Sequence, residues 1–239
     1  FTGFLLTYRS FNKEIQVGNQ QKNFLLSITH ELKTPIASLK LYLQTLLKRN
    51  LNPTKQTEIL NKSVKDADRL NALVENILLA TKIDDNGLPL NPEELDLSLM
   101  MEKVALDMLE SSGKTVNVEF FIQPSVYFKG DKDAFDSILI NLIGNALKYA
   151  PESSTMCVTL VQKNNETALS ISDEGPGVSA SEVEKIFEKF YRSGNEETRS
   201  QKGTGLGLYI VKKLVEQHNG MVQVKPNVPK GSIFVASFR

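Results

Sequence analysis

Between Phe24 and Arg49 apolar residues recur at Leu25, Ile28, Leu32, Leu39 and Leu46, with Tyr42 between the last two. The spacing alternates three and four residues and marks one face of a long helix or coiled coil. It returns at Leu60, Ser63, Ala67, Leu70, Val74 and Ile77. Residues from about Ser10 to Asn50 therefore read as one helix, bent at Pro35, where a helical donor is missing. Asn50–Asn52 is a turn, and Pro53 opens a second helix at a favourable early position. Two heptad-patterned helices joined by a short loop make an antiparallel hairpin. A hairpin cannot bury a full seam alone. The expectation is a second copy completing a four-helix bundle, and so a homodimer.

With Leu25 at an a position and Ile28 at a d, His30 falls at f, facing solvent. Glu31 follows it, and Thr34 stands one turn further on. Packing has no use for an imidazole there. A neutral imidazole, common near its ordinary pKa of roughly 6.5, is a good nucleophile.

Asp84–Pro92, DDNGLPLNP, is dense in turn formers and reads as a linker. The expected division is residues 1–85 as the hairpin, 86–92 as linker and 93–239 as a second domain. Past the linker, Leu99–Leu109, Asp131–Tyr149 and Gly205–His218 read as helices. Val116–Ile122, Met156–Gln162, Ala168–Ser172, Met221–Val224 and Ile233–Phe238 alternate like strands. The fold class is multidomain: an all-α hairpin, then an α+β sandwich of helices on one antiparallel sheet.

With 41% hydrophobic residues, including 12 Phe, a proper core is available. The 28 basic and 28 acidic residues balance, which argues against nucleic acid as a partner. The one cysteine, Cys157, is expected as a buried thiol, and it gives no disulfide framework. No segment reaches the ~18–20 apolar residues of a membrane span. The opening Phe1, Phe4, Leu5 and Leu6, followed by Arg9 and Lys13, fits either the cytoplasmic end of a membrane helix or the first turns of a soluble one. The chain reads as a fragment of a longer protein.

Four segments of the second domain carry chemistry. In NLIGNALKYA, Asn141, Asn145 and Lys148 share one helical face; two carboxamides and an ammonium suit a hard cation and its phosphates, or simply a solvated face. In DEGPGV, Asp173 ends a strand, where a buried carboxylate accepts a hydrogen bond from an amino group such as adenine's; Gly175 and Gly177 let backbone pass close to a flat ligand. In GTGLGL, alternate glycines before a helix leave N–H groups free for phosphate. The spacing fits neither the Walker pattern nor a dinucleotide fold. Between the last two lies Phe187–Lys202, with apolar anchors Phe187 and Phe190 and a polar run holding Arg192, Arg199 and Lys202, read as a lid.

Taken in order, HELKTP, NLIGNALKY, DEGPGV, FEKFYR and GTGLGL closely resemble the H, N, first glycine, F and second glycine boxes of sensor histidine kinases, over roughly Lys22 to Arg239. The resemblance implies a dimerisation and histidine-phosphotransfer hairpin followed by a Bergerat-type ATP-binding domain using ATP and Mg2+. It implies His30 as phosphoacceptor and Glu31 as the acid that orients or deprotonates it. Thr34, with Glu31, matches the residue that positions a water for dephosphorylating the partner. Asn145, helped by Asn141, matches the magnesium ligand. The implied ATP-binding set is Asn141, Asn145, Lys148, Tyr149, Asp173, Gly175, Gly177, Phe190, Arg192, Gly203, Thr204, Gly205, Leu206 and Gly207. The implied partner is the receiver domain of a response regulator. The longer protein is then expected to be anchored in the inner membrane upstream of residue 1, with this chain its cytoplasmic portion. Glu174, where the family usually has Asn, and the single Gly231 of the final turn depart from the pattern.

The second histidine, His218, is expected as a structural cation at a helix end, followed by the stop Asn219-Gly220. A catalytically silent ATP-binding scaffold, and an ATP-hydrolysing chaperone or topoisomerase-like protein, are rivals. The full set His30, Glu31, Asn145 and Asp173 speaks against the first, and the exposed His30 hairpin against the second.

Overall fold

The computed structural model describes residues 2–86, 88–192 and 203–239, with the backbone alone for 2–10, 12–14, 16–17 and 85–86. The readings that rest on the side chains of Phe1–Lys13 other than Phe11, and on Arg199 and Lys202, lie outside the described residues. The chain divides into two compact units. The first is 1–79 with 190–206, and the second is 80–189 with 207–239.

The first unit is built on two helices, α1 (Thr2–Lys48) and α2 (Pro53–Asn86). Pro35 sits buried within α1, which is helical on both sides of it. Asn52 begins α2, its side chain accepting the N–H of Lys55 at 2.8 Å. The single seam expected on α2 is split in two. Ser63, Leu70 and Ile77 are half-buried together with Ile59 and Leu73, whereas Leu60, Ala67 and Val74 are exposed and line up with exposed Val64 and Leu78. On α1, Ile28, Leu32, Leu39, Tyr42 and Leu46 are half-buried, while Leu25, Ile36, Leu43 and Leu47 are exposed. Each helix thus carries one stripe that closes the hairpin and one left open, because a hairpin helix in a bundle needs an apolar arc wider than a two-stranded seam.

The second unit holds a five-stranded sheet ordered β2-β4-β5-β7-β6, formed by β2 (Asn117–Ile122), β4 (Thr155–Lys163), β5 (Glu166–Asp173), β6 (Met221–Pro226) and β7 (Ser232–Phe238). A separate antiparallel pair joins β1 (Pro92–Asp96) to β3 (Tyr127–Asp131). The sheet is mixed, not antiparallel: β2 runs parallel to β4 while the other pairings are antiparallel. The chain between β2 and β4 contains β3 and the helix α4 (Lys132–Tyr149), and such a crossover returns the strand parallel. Alternation reveals which face is apolar but not which way a strand runs.

With α3 (Leu97–Ser112) and α5 (Gly207–Gln217), α4 covers one face of the sheet. Met156, Val158, Leu160, Leu169, Ile171, Phe234, Ala236 and Phe238 point inward against Met101, Phe135, Ile138, Leu142, Ile210 and Leu214, all buried. Cys157, expected inside, is half-buried on the opposite face, since strand alternation sends Met156 and Val158 to the core.

His218 is buried, but not as a cation. Its Nε2 accepts the backbone N–H of Asp131 at 3.1 Å, leaving Nδ1 to donate to the carbonyl of Leu214 at 2.8 Å. A ring nitrogen that accepts carries no proton, so this is the neutral tautomer. It ties the end of α5 to Asp131, which caps α4 by accepting from Ala134 at 2.9 Å. The stop forms as expected: Asn219 has φ +56°, and Gly220 N–H bonds the carbonyl of Val215 at 2.9 Å.

Candidate functional site

In the second unit the site begins at Asp173, the last residue of β5 and 3% exposed. Burial pushes its pKa up, partly offset by backbone N–H groups of Gly175 and Ser232. The Gly175 N–H lies 2.7 Å from its Oδ1. The Asp173 carbonyl is held too, accepting from Asn227 Nδ2 at 2.9 Å. A side chain on Gly175 would begin 2.6 Å from Asp173 Oδ1 and 3.0 Å from the carbonyl of Tyr149. Gly231, at φ +119°, has no room at all, since its Cβ would sit 1.8 Å from the Asp173 carbonyl. The last turn therefore backs the Asp173 turn directly. Glu174 faces away from this task, accepting the N–H of Thr155 at 3.1 Å.

Along α4, Asn141, Asn145 and Lys148 are half-buried on one stripe. Asn141 donates to the carbonyl of Ser137 at 2.8 Å, which turns its Oδ1 toward Gly207, where a Cβ would be 2.5 Å away. Lys148 Nζ donates to the Tyr149 hydroxyl at 3.1 Å and stands 4.6 Å from its ring centre. The donor set on this stripe is carboxamide oxygen, which suits a hard cation that keeps phosphate oxygens and water as its other ligands. Among the described residues no cluster of three His, Cys, Asp or Glu offers another metal site.

Asp84, near the end of α2, belongs to this second unit and accepts hydrogen bonds from Lys189 and the Tyr209 hydroxyl. Burial alone would raise the Asp84 pKa, but the bonds from Lys189 and Tyr209 outweigh it and hold the carboxyl low. Burial and the same bond push Tyr209 up.

In the first unit His30 is exposed. Glu31 is mostly buried and accepts from Arg69 Nη2 at 2.7 Å across the hairpin. Thr34 donates its hydroxyl to the His30 carbonyl at 3.1 Å. The flanks of the segment that the sequence suggests as a lid, residues 190–192 and 203–206, belong here as well. Phe190 N–H bonds the Gly205 carbonyl at 3.1 Å, and the Phe190 ring meets Phe24 at a centroid distance of 3.9 Å. Buried Ser27 accepts from Arg192 Nη1 at 2.7 Å and donates to the Gly203 carbonyl at 2.8 Å.

The sequence-derived residues thus fall into two groups. Asn141, Asn145, Lys148, Tyr149, Asp173, Gly175, Gly177 and Gly207 belong to the second unit. His30, Glu31, Thr34, Phe190, Arg192, Gly203, Thr204, Gly205 and Leu206 belong to the first. Sequence reasoning missed Arg69 and Ser27. Arg69 faces Glu31 because each stands some sixteen or seventeen residues from its own end of the turn (69 − 53 = 16; 48 − 31 = 17), a signal that antiparallel counting could have found. Asn227 carried no such signal.

Residues 130–239 match the family of histidine kinase-, DNA gyrase B- and HSP90-like ATPases, and residues 20–86 match the His Kinase A (phospho-acceptor) domain. Sensor protein SrrB of Staphylococcus aureus strain N315 is 29% identical over 236 residues, which cover 98% of this chain and 40% of that protein. The chain thus spans less than half the length of the curated relatives it matches. Among solved structures, the mycobacterial sensor histidine kinase MprB is 27% identical with a TM-score of 0.55, covering 62% of this chain and 97% of that one. The Acinetobacter baumannii histidine kinase AdeS shares the fold at a TM-score of 0.62 and 24% identity, over 87% of this chain and 96% of that one. ShkA, solved full-length in complex with AMPPNP, does so at the same score and identity, over 90% of this chain and 45% of its own.

Proposed function

This chain belongs to the sensor histidine kinases, and from that premise we propose that it phosphorylates itself on His30 from ATP and passes the phosphoryl group to an aspartate of a response regulator. The observation that carries this reading is the presence in one chain of an exposed imidazole, next to a carboxylate fixed by Arg69, and of a buried carboxylate at the end of a strand, an acceptor that suits a purine amine. The AMPPNP held by the structurally similar ShkA supports an adenine nucleotide as the ligand.

In this reading Asp173 accepts from the adenine amino group, and its fixed backbone means that little reorganisation accompanies binding. Lys148 offsets charge on the phosphates. Asn145, with Asn141, would hold a Mg2+ ion, which would supply further positive charge there. A neutral His30 nitrogen attacks the γ-phosphorus in line; the N–P bond forms as the bond to the bridging oxygen breaks and ADP leaves. The imidazole then gives up its proton to Glu31 or water. Arg69 holds Glu31 in place for that role. A carboxylate of the regulator next attacks the phosphorus and releases His30. Thr34 and Glu31 serve the reverse duty, placing a water that removes the phosphoryl group from the regulator.

The open stripes on both hairpin helices support a homodimer through a four-helix bundle, with the phosphoacceptor hairpin at 1–85, a linker at 86–92 and the catalytic domain at 93–239. The relatives' greater length is consistent with a sensor anchored in the membrane upstream of residue 1, this chain being its cytoplasmic part. Among the described residues no helix is long and apolar enough to cross a membrane.

The test is His30→Gln. With γ-labelled ATP the wild-type chain should gain phosphate that is labile in acid and stable in alkali. The variant should gain none while binding nucleotide as before. Label on the variant would remove His30 from the mechanism.

A further inference from the structure

The ammonium of Lys114, in the loop between α3 and β2, donates to the carbonyls of Leu147 at 2.6 Å, Ala150 at 3.1 Å and Lys148 at 3.3 Å. Leu147 and Lys148 stand in the last turn of α4 and Ala150 caps it, and an α-helix leaves such terminal carbonyls without internal partners. A fourth, that of Ala146, is taken by the N–H of Ala150 at 2.8 Å. The Tyr149 carbonyl is the one that faces Gly175. An ammonium has three protons, and three carbonyls account for them, so no donor remains for a phosphate.

The loop that carries Lys114 is itself fixed. Gly113, at φ +67°, ends α3, and the Thr115 carbonyl accepts from Ser153 N–H at 2.7 Å. β2 begins two residues later, paired with β4. Lys114 therefore bolts the end of α4 to the sheet, and that end carries Lys148, Tyr149 and the wall against Gly175. It also places a full positive charge on the negative end of the helix dipole, which would otherwise repel a nearby polyphosphate.

We propose that Lys114 is a positioning residue of the nucleotide site, acting through the last turn of α4 rather than by touching the ligand. The proposal rests on the reading of the Asp173–Lys148 region as an ATP site. Lys114→Met keeps the length of the side chain and removes its three donors. In the full chain it should raise the Kd for ATP and the KM for ATP in autophosphorylation by about tenfold, with kcat within about twofold of wild type. Lys114→Arg, which can still donate to two or more carbonyls, should recover most of that loss; a variant that merely lost stability would lower active fraction and kcat without moving KM. Should Lys114→Met not fold, the Kd of Lys114→Arg and of Lys114→Gln decides, with Gln expected to be the weaker binder. ATP binding by Lys114→Met as tight as wild type, Arg no better than Met, or Gln no weaker than Arg would each overturn the proposal. Failure of the wild-type chain to bind ATP would instead overturn the reading on which it rests.

Discussion

The two units solve burial in opposite ways. The second closes its own core: three helices lie on one face of a mixed sheet, and Phe135, Ile138, Leu142, Met156 and Phe238 are fully enclosed by their own chain. The hairpin does not. Leu47 is 86% exposed, Leu25 64% and Val64 57%, all on stripes whose partners the hairpin lacks. A nucleotide site needs walls that stay put, and an enclosed core provides them. A hairpin that carries the exposed His30, the phosphoacceptor proposed above, has no such need. Its unfinished packing leaves it to be completed by a second copy, the arrangement proposed above.

The sharpest way to break this contrast is to cut each packing surface and vary protein concentration. Phe135→Ala removes a fully buried ring and should cost the second unit about 3–5 kcal/mol, read by its own unfolding transition at any concentration. Leu43→Asp with Leu47→Asp should hardly change that transition, but should shift the hairpin to a monomer by light scattering at micromolar protein. A hairpin variant that still sediments as a dimer would show that the open stripes are not the interface.

A smaller effect sharpens the picture of the enclosed site. Asp173→Ala removes the charge-assisted hydrogen bond proposed above to the adenine, worth roughly 1.5–3 kcal/mol. Calorimetry should show ATP affinity falling by about one to two orders of magnitude, with phosphotransfer from an already phosphorylated His30 to a regulator unaffected. An equal loss in both steps would mean that the two units are not chemically separable.

The smallest effect concerns acid. Asp84 is held low, so it stabilises the second unit above its unfolded pKa of about 3.9, and that contribution is lost as pH falls through its folded value. Asp173 is raised by burial, so its ionised form costs stability, and the cost disappears as pH falls through its folded pKa, above about 3.9. Asp84→Asn should therefore flatten the acid-side fall in Tm between pH 7 and 3, whereas Asp173→Asn should steepen it. Parallel profiles for the two variants would contradict the opposite surroundings of these carboxylates.

Periodicity pointed to the hairpin, the exposed His30 and the alternating faces of the strands, because each depends on where side chains fall along one helix or strand, but it did not reveal the split stripes of α2 or the outward Cys157. The glycine-flanked Asp173 turn was legible for a related reason: the short residues announce a close approach, and Gly175 indeed lies against Asp173 and Tyr149. Other features rest on residues far apart in the chain. Arg69 reaches Glu31, Lys114 reaches the end of α4, Asn227 reaches the Asp173 carbonyl and Asp131 pairs with His218. The parallel step from β2 to β4 and the added pair β1–β3 belong with these. His218 is the plainest case. From the sequence it reads as a charge for a helix end, yet its Nε2 accepts the Asp131 N–H, a bond that only an unprotonated ring nitrogen can make. Local spacing determines which face a residue occupies; which partner it meets, and so its protonation and its task, is decided when distant segments pack together.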